Sequence, residues 1–283
     1  MLWLLMTMTA CAPPDTGRVS VETMRSDVLG REWTYSVYLP PGYDTSELRY
    51  PVLYLLHGSG GDETDWRDGQ DALDSLIAVG AVPPAIAVAP ATGTSWWVDG
   101  QEPFETAFLQ DLVPHVDRQY RTISSREGRA AVGFSMGGYG ALRYGLAHPD
   151  VFGAAVLLSP ALYDDLPPDG SSARTSGAFG APFDAERWTR LNYPHVLDAS
   201  DDAPDVPVFI VTGDDDWHHP EGTHHNVEQQ TVRLYGRLHK EGGRPAELRV
   251  LDGGHSWEVW GPGFEDGLAY VFQFLKPPQP ACE

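Results

Sequence analysis

The chain has 283 residues, 42% of them hydrophobic, and sets 40 acidic residues against 19 Lys and Arg for a formal charge of −21 at pH 7. That length holds one large α/β domain or two small ones with a full core, and no apolar run reaches the ~20 residues of a membrane-spanning helix. So acidic a surface repels nucleic acid and anionic lipid, and it suits a neutral small substrate or plain solubility.

The first ten residues, MLWLLMTMTA, form an apolar run that ends in small residues just before Cys11. Export signals have such an apolar core, ordinarily behind a basic stretch, which is missing here. The ending MTAC is similar to a bacterial lipobox, with Met8 where leucine is usual. On that resemblance residues 1–10 are a signal segment, Cys11 carries the lipid, and 11–18 form a polar tether. The expected location is the cell envelope, as a periplasmic or surface lipoprotein, or otherwise outside the cell. Membrane contact would run only through the anchor, and an unprocessed tail is the alternative. The only other cysteine is Cys282. A Cys11–Cys282 disulfide is a competing use of the pair, and neither arrangement makes a disulfide framework or a metal site.

VSVETM (19–24) and REWTYSVYLPPGY (31–43) alternate and predict an antiparallel hairpin at a sheet edge. Beyond them the apolar runs are continuous: PVLYLLHG, AIAVAPA, RAAVGFS, GAAVLLSP, VPVFIVTG and ELRVLDGG. Such runs suit strands covered on both faces, hence a parallel sheet. Helical patterns fall between them, near 66–79, 105–118, 136–147, 223–241 and 264–275. The alternation predicts a doubly wound, mostly parallel α/β sheet with helices on both faces, as a single domain over 19–277. Residues 161–205 break the rhythm, being rich in Pro, Gly, Ser and Asp with one short helical stretch near 184–191. They read as an insertion over one end of the sheet, either a lid or a surface excursion.

In an open parallel sheet, ligands gather beyond the carboxyl ends of the strands. Those positions hold His57-Gly58-Ser59-Gly60-Gly61, TGTSWW (92–97), Gly133-Phe134-Ser135-Met136-Gly137, Gly213-Asp214-Asp215-Asp216 and Gly253-Gly254-His255. GFSMG matches the G-x-S-x-G nucleophile elbow, a sharp strand-to-helix turn that exposes a serine hydroxyl. The string arises easily by chance, so its weight comes from the strand before it and the helix after it. Side chains at Gly133 or Gly137 would collide across the turn, and Gly138 and Gly140 would let the helix pack close to the strands.

Serine is a poor nucleophile at neutral pH and needs a base. His255, after a strand and two glycines, is the best placed of the ten histidines. A carboxylate must fix its tautomer. The spacing Gly-x-x-Asp after the strand favours Asp216, with Asp215 as second choice and Asp214 as a turn former. Oxyanion donors are expected from the backbone amides of Met136, next to the nucleophile, and Ser59 in the HGSGG loop. His57 is expected to support that loop, and Ser59 and Ser95 to be bystanders as nucleophiles.

YLLHGSGGDETDW, VGFSMGGYGALRYGLAHPDVFGAAVLLSP, VTGDDD and GGHSWEVW resemble the esterase D and feruloyl esterase branch of the α/β-hydrolase superfamily, over about residues 20–275. Carbohydrate acetyl and feruloyl esterases, S-formylglutathione hydrolases and mycolyltransferases share that branch. The resemblance implies an α/β-hydrolase fold, no cofactor, and a triad of Ser135, Asp216 and His255. It implies hydrolysis of carboxylic esters, acetyl or feruloyl esters of carbohydrates, through an acyl-enzyme. The alternatives are an acyltransferase of the mycolyltransferase type on the same triad, or a surface binding protein with a decayed site. Formylglutathione hydrolases carry a cysteine-containing loop where this chain has HGSGG, and they lack export signals; the loop is more similar to that of esterases acting on plant-wall carbohydrates.

Trp66, Trp96, Trp97, Trp217 and Trp257, with Trp260, lie in or beside the strand-end loops. Indole faces stack on sugars and phenolic rings, or simply pack the upper face of a domain. The first five are candidates for substrate contact, with half or more expected to be structural. His218, His219, His224 and His225 lie beside acids, but adjacent pairs lack the i, i+4 spacing of a helical zinc site, and no metal is expected.

Overall fold

The computed structural model of the chain describes residues 16–199, 204–218 and 225–281. The expected signal segment, Cys11, Cys282, His219 and His224 lie outside the described residues. A hairpin of β1 (Arg18–Ser26) and β2 (Arg31–Leu39) opens the chain and places β1 at the sheet edge. Six strands follow: β3 (Val52–Leu56), β4 (Ile86–Pro90), β5 (Arg129–Phe134), β6 (Ala154–Leu158), β7 (Val208–Gly213) and β8 (Ala246–Leu251). These six pair in parallel, and the sheet order is β1-β2-β4-β3-β5-β6-β7-β8.

Burial on both faces explains the unbroken apolar runs. Along β3, Val52, Tyr54 and Leu56 enter one core, and Leu53 and Leu55 enter the other. The second core is closed by α1 (Arg67–Ala78) and α9 (Trp257–Val271). The first is closed by α2 (Phe104–Ala107), a wide turn over Phe108–Leu112, α3 (Val113–Gln119), α4 (Met136–Ala147) and α8 (Val227–Tyr235).

Two helices differ from the sequence expectation. The helix expected at 264–275 starts at Trp257 and runs through Pro262. Gly261-Pro262-Gly263 reads locally as a break, but a Cβ on Gly263 would sit 2.4 Å from Val211 Cγ1, so the glycine is where this helix presses on β7. Tertiary packing overrides propensity there. The helix expected at 223–241 is regular only over Val227–Tyr235 and widens over Gly236–Glu241.

Among the described residues the insertion holds three short helices: α5 (Ser172–Thr175), α6 (Ala185–Leu191), near the stretch expected at 184–191, and α7 (Tyr193–Asp198). Asp184 and Asn192 cap α6 and α7 with their side chains. Phe179, Trp188 and Tyr193 are buried, and Trp188 stacks on Tyr139 of α4 at 5.8 Å. Polar composition around them hides these three anchors in the sequence.

Candidate active site

Sheet order reverses between β3 and β5, where Leu56 pairs with Gly133. Two loops therefore leave the sheet side by side at the switch point, the usual ligand crevice of such folds. After β5, Ser135 takes φ 55° and ψ −121°, a conformation that only surrounding contacts can hold in a residue with a side chain. The Ser135 amide donates to the Leu158 carbonyl at 2.9 Å, and its carbonyl accepts from Gly138, Tyr139 and Ala161. A Cβ at Gly133 would lie 2.1 Å from the Gly137 carbonyl oxygen, and one at Gly137 would lie 1.9 Å from that of Leu56. The crowded glycines thus let the elbow fold on itself and against β3. Gly140 differs from its expected role: its missing Cβ makes room for the Trp97 ring, not for a strand.

After β7, Asp216 is 2% exposed, and its Oδ1 accepts from His255 Nδ1 at 2.7 Å and from the Trp217 amide at 2.6 Å. Thr212 Oγ1 and the Gly213 amide approach Oδ2 at 3.3 and 3.4 Å. Burial alone would raise its pKa, but the hydrogen bond and charge of His255, helped by Ser159 and the Trp217 amide, outweigh it and hold the carboxyl below its usual range. Asp214 Oδ1 accepts from the Gly253 amide, tying the two loops, and Asp215 is exposed. A buried carboxylate on Nδ1 leaves Nε2 of His255 as the free basic nitrogen. The ring packs edge-on against Trp260 at 5.0 Å, and Trp260 stacks on Phe134, the neighbour of Ser135, at 4.6 Å. Among the described residues no hydrogen bond joins Ser135 Oγ to His255; in ligand-free sites this contact commonly closes only around substrate.

The second loop follows β3. His57 is fully buried; Nδ1 donates to the Gly58 carbonyl at 2.7 Å, and Nε2 accepts from the Thr92 amide at 3.0 Å. Those partners select the Nδ1–H tautomer. Burial, partly offset by the Gly58 carbonyl and the Asp62 charge, pulls its pKa down to about 4. Because a peptide unit is planar and trans, fixing the Gly58 carbonyl also fixes the Ser59 N–H on the opposite side of the same unit. The Gly61 amide donates to that carbonyl as well, at 3.2 Å. Neither the Ser59 nor the Met136 amide has an acceptor among the described residues.

The tryptophans divide sharply. Trp66, Trp96 and Trp97 are 0%, 2% and 0% exposed, so these three expected substrate contacts are core side chains with no face to offer. Trp96 and Trp97 both take positive φ, 55° and 58°. Trp97 Nε1 donates to the His57 carbonyl and its ring fills the gap at Gly140; Trp96 packs on Tyr139, Phe179 and Trp188. Trp217 is 49% exposed and Trp257 is half-buried. His225 Nε2 donates to the Leu166 carbonyl, a loop contact. Two serines escaped the sequence reading: Ser159, buried with φ 43° beside Asp216, and Ser172 of the insertion, hydrogen-bonded to Ser59. Neither lies in a recognisable motif. A cavity of about 180 Å³ beside the loop after β4 is lined by Thr92, Thr94, Ser95, Gln101, Glu102 and Ser176 together with Phe104 and Ala178.

Comparison with known proteins agrees with this architecture. The Esterase family model matches residues 26–271. An endo-1,4-beta-xylanase/feruloyl esterase of Xylanibacter ruminicola is 36% identical over 160 residues, 52% of this chain and 22% of that relative. Esterase Rv1288 of Mycobacterium tuberculosis is 32% identical over 251 residues, 82% of this chain and 54% of the relative. The chain thus spans about half or less of the length of these relatives. Among solved structures, a ferulic acid esterase superposes with TM-score 0.75 at 28% identity, covering 92% of this chain and 99% of that one. An S-formylglutathione hydrolase from Agrobacterium tumefaciens, with TM-score 0.74 at 19% identity over 96% of this chain and all of that one, shares the fold. The sheet, the switch-point loops and these matches together show that the chain belongs to the Esterase family and has the α/β-hydrolase fold.

Proposed function

We propose that the chain is a serine esterase acting on carboxylic esters of carbohydrates, with acetyl or feruloyl acyl groups. The observation that carries the reading is the buried Asp216 paired with His255 Nδ1, one aromatic layer from the strained Ser135. In this reading His255 Nε2 takes the Ser135 proton as Oγ attacks the ester carbonyl. The amides of Ser59 and Met136 stabilise the oxyanion, the protonated imidazole hands its proton to the leaving alcohol, and His255 then activates water to release the acid. Relatives named as feruloyl esterases support the acyl class. Exposed Trp217 and half-buried Trp257 are the aromatic faces left for a phenolic ring or sugar. The apolar N-terminus ending at Cys11 supports export with a lipid anchor.

A fluorophosphonate probe should label Ser135, and a panel of acetyl, butyryl and feruloyl sugar esters should be cleaved ahead of simple alkyl esters. Absence of labelling would favour a decayed binding protein. Transfer of the acyl group to an added sugar alcohol, in preference to water, would favour the acyltransferase reading, which uses the same machinery.

A further inference from the structure

The insertion and the loop after β3 meet through three side chains. Ser59 Oγ donates to Ser172 Oγ at 2.9 Å, and Trp96 Nε1 donates to the same oxygen at 3.1 Å. Trp96 is 2% exposed and wedged between Tyr139, Phe179 and Trp188, so its N–H is a fixed point, and the oxygen that accepts from it is fixed in turn. Ser171 caps the first turn of α5 by accepting from the Ala173 amide, and Arg174 donates to the Pro167 carbonyl, which holds Ser172 from its own side.

The link fastens Ser59 by its side chain. Ser59 is exposed and flanked by Gly58 and Gly60, the latter at φ +81°. His57 and Gly61 hold the peptide that carries its N–H from the Gly58 carbonyl end. On the far side of the Ser59 Cα the next peptide is tied as well, its Gly60 amide donating to the Gly93 carbonyl at 3.0 Å, and the Ser59 side chain adds a further tie, to Ser172.

We propose that Ser172 is a positioning residue for the oxyanion amide of Ser59, which makes the insertion a strut of the reaction centre. The proposal rests on the serine-esterase reading. Ser172 touches no reacting atom in it; it acts through Ser59.

With p-nitrophenyl acetate as substrate, Ser172→Ala should lower kcat roughly tenfold while KM stays within about twofold, since a donor that is turned, not removed, forfeits part of its transition-state stabilisation. Affinity for phenylboronic acid, whose tetrahedral adduct mimics the intermediate, should fall by the same factor. Ser59→Ala keeps the amide but breaks the link and should cost as much, and the double variant should cost no more than either single one. Ser172→Thr, which restores a hydroxyl, should recover most of the rate. An unchanged kcat in Ser59→Ala or Ser172→Ala, or losses that multiply in the double variant, overturns the proposal. Should Ser172→Ala fail to fold, Ser59→Ala at the exposed end of the link decides alone. Failure of the wild-type protein to react with fluorophosphonate would instead remove the esterase reading itself.

Discussion

His57 and His255 both follow a strand, yet their surroundings give them different chemistry. His57 spends both nitrogens inside the protein, on Gly58 and Thr92, whereas His255 uses Nδ1 on Asp216 and has no partner on Nε2 among the described residues. Ser135→Ala and His255→Ala should each abolish hydrolysis of p-nitrophenyl acetate while the thermal midpoint holds. Asp216→Asn should cost about 10⁴ in kcat, because an amide favours the wrong imidazole tautomer. Asp215→Asn should stay near wild type, and a severe loss there would reassign the acid. The lowered pKa of His57 has a sign that can be worked out. Above about pH 6.5 it is neutral in both folded and unfolded chains and costs nothing. Between there and about pH 4 only the unfolded chain takes up the proton, so stability falls by about 3 kcal/mol across that window. Denaturant midpoints at pH 7.5 and pH 4.5 would show the drop, and His57→Gln should flatten it.

Elements meet at this site through missing side chains. The approach of α4 to the loop after β4 depends on Gly140, whose Cβ would stand 2.6 Å from Trp97 Cγ. Gly140→Ala should raise helix propensity yet destabilise the protein by about 1–3 kcal/mol, because Trp97 also holds the His57 carbonyl and has nowhere to move. Calorimetry would read the sign, and a stabilised variant would mean that the loop yields. Strands, hairpin and most helices were legible in the sequence because their signals are periodic and local. The start of α9 was not, since Gly261-Pro262-Gly263 carries a breaker signal and the compensating contact on Val211 comes from 50 residues upstream of Gly261.

Across the whole molecule, one buried ionic cluster ties three parts together. Glu105 in α2 accepts from Arg143 in α4 at 2.9 Å and pairs with His148 at 2.8 Å, while Arg143 and Tyr139 both donate to the Leu191 carbonyl at the end of α6. Burial works against the Glu105 carboxylate, but His148 and Arg143 outweigh it and hold its pKa below the usual value. Its stabilising contribution is therefore present above about pH 4.5 and lost as pH falls through the lowered value. Glu105→Ala should cost about 3–5 kcal/mol by stranding the Arg143 guanidinium. Hydrogen exchange should speed up in α6 and α7 of that variant; unchanged protection there would show the insertion to be held by its aromatic anchors alone.

The sequence by itself determined the sheet's sense, the glycine-crowded elbow and the chain order of Ser135, Asp216 and His255, because a strand, a tight turn and a capping spacing are each written within a few neighbouring residues. Only the tertiary structure decided that Trp66, Trp96 and Trp97 are core while Trp217 faces solvent, that His57 aims a peptide, and that a polar insertion reaches the loop after β3 through Ser172. Each of these depends on which side chain stands opposite across the fold, and a one-dimensional pattern holds no record of that.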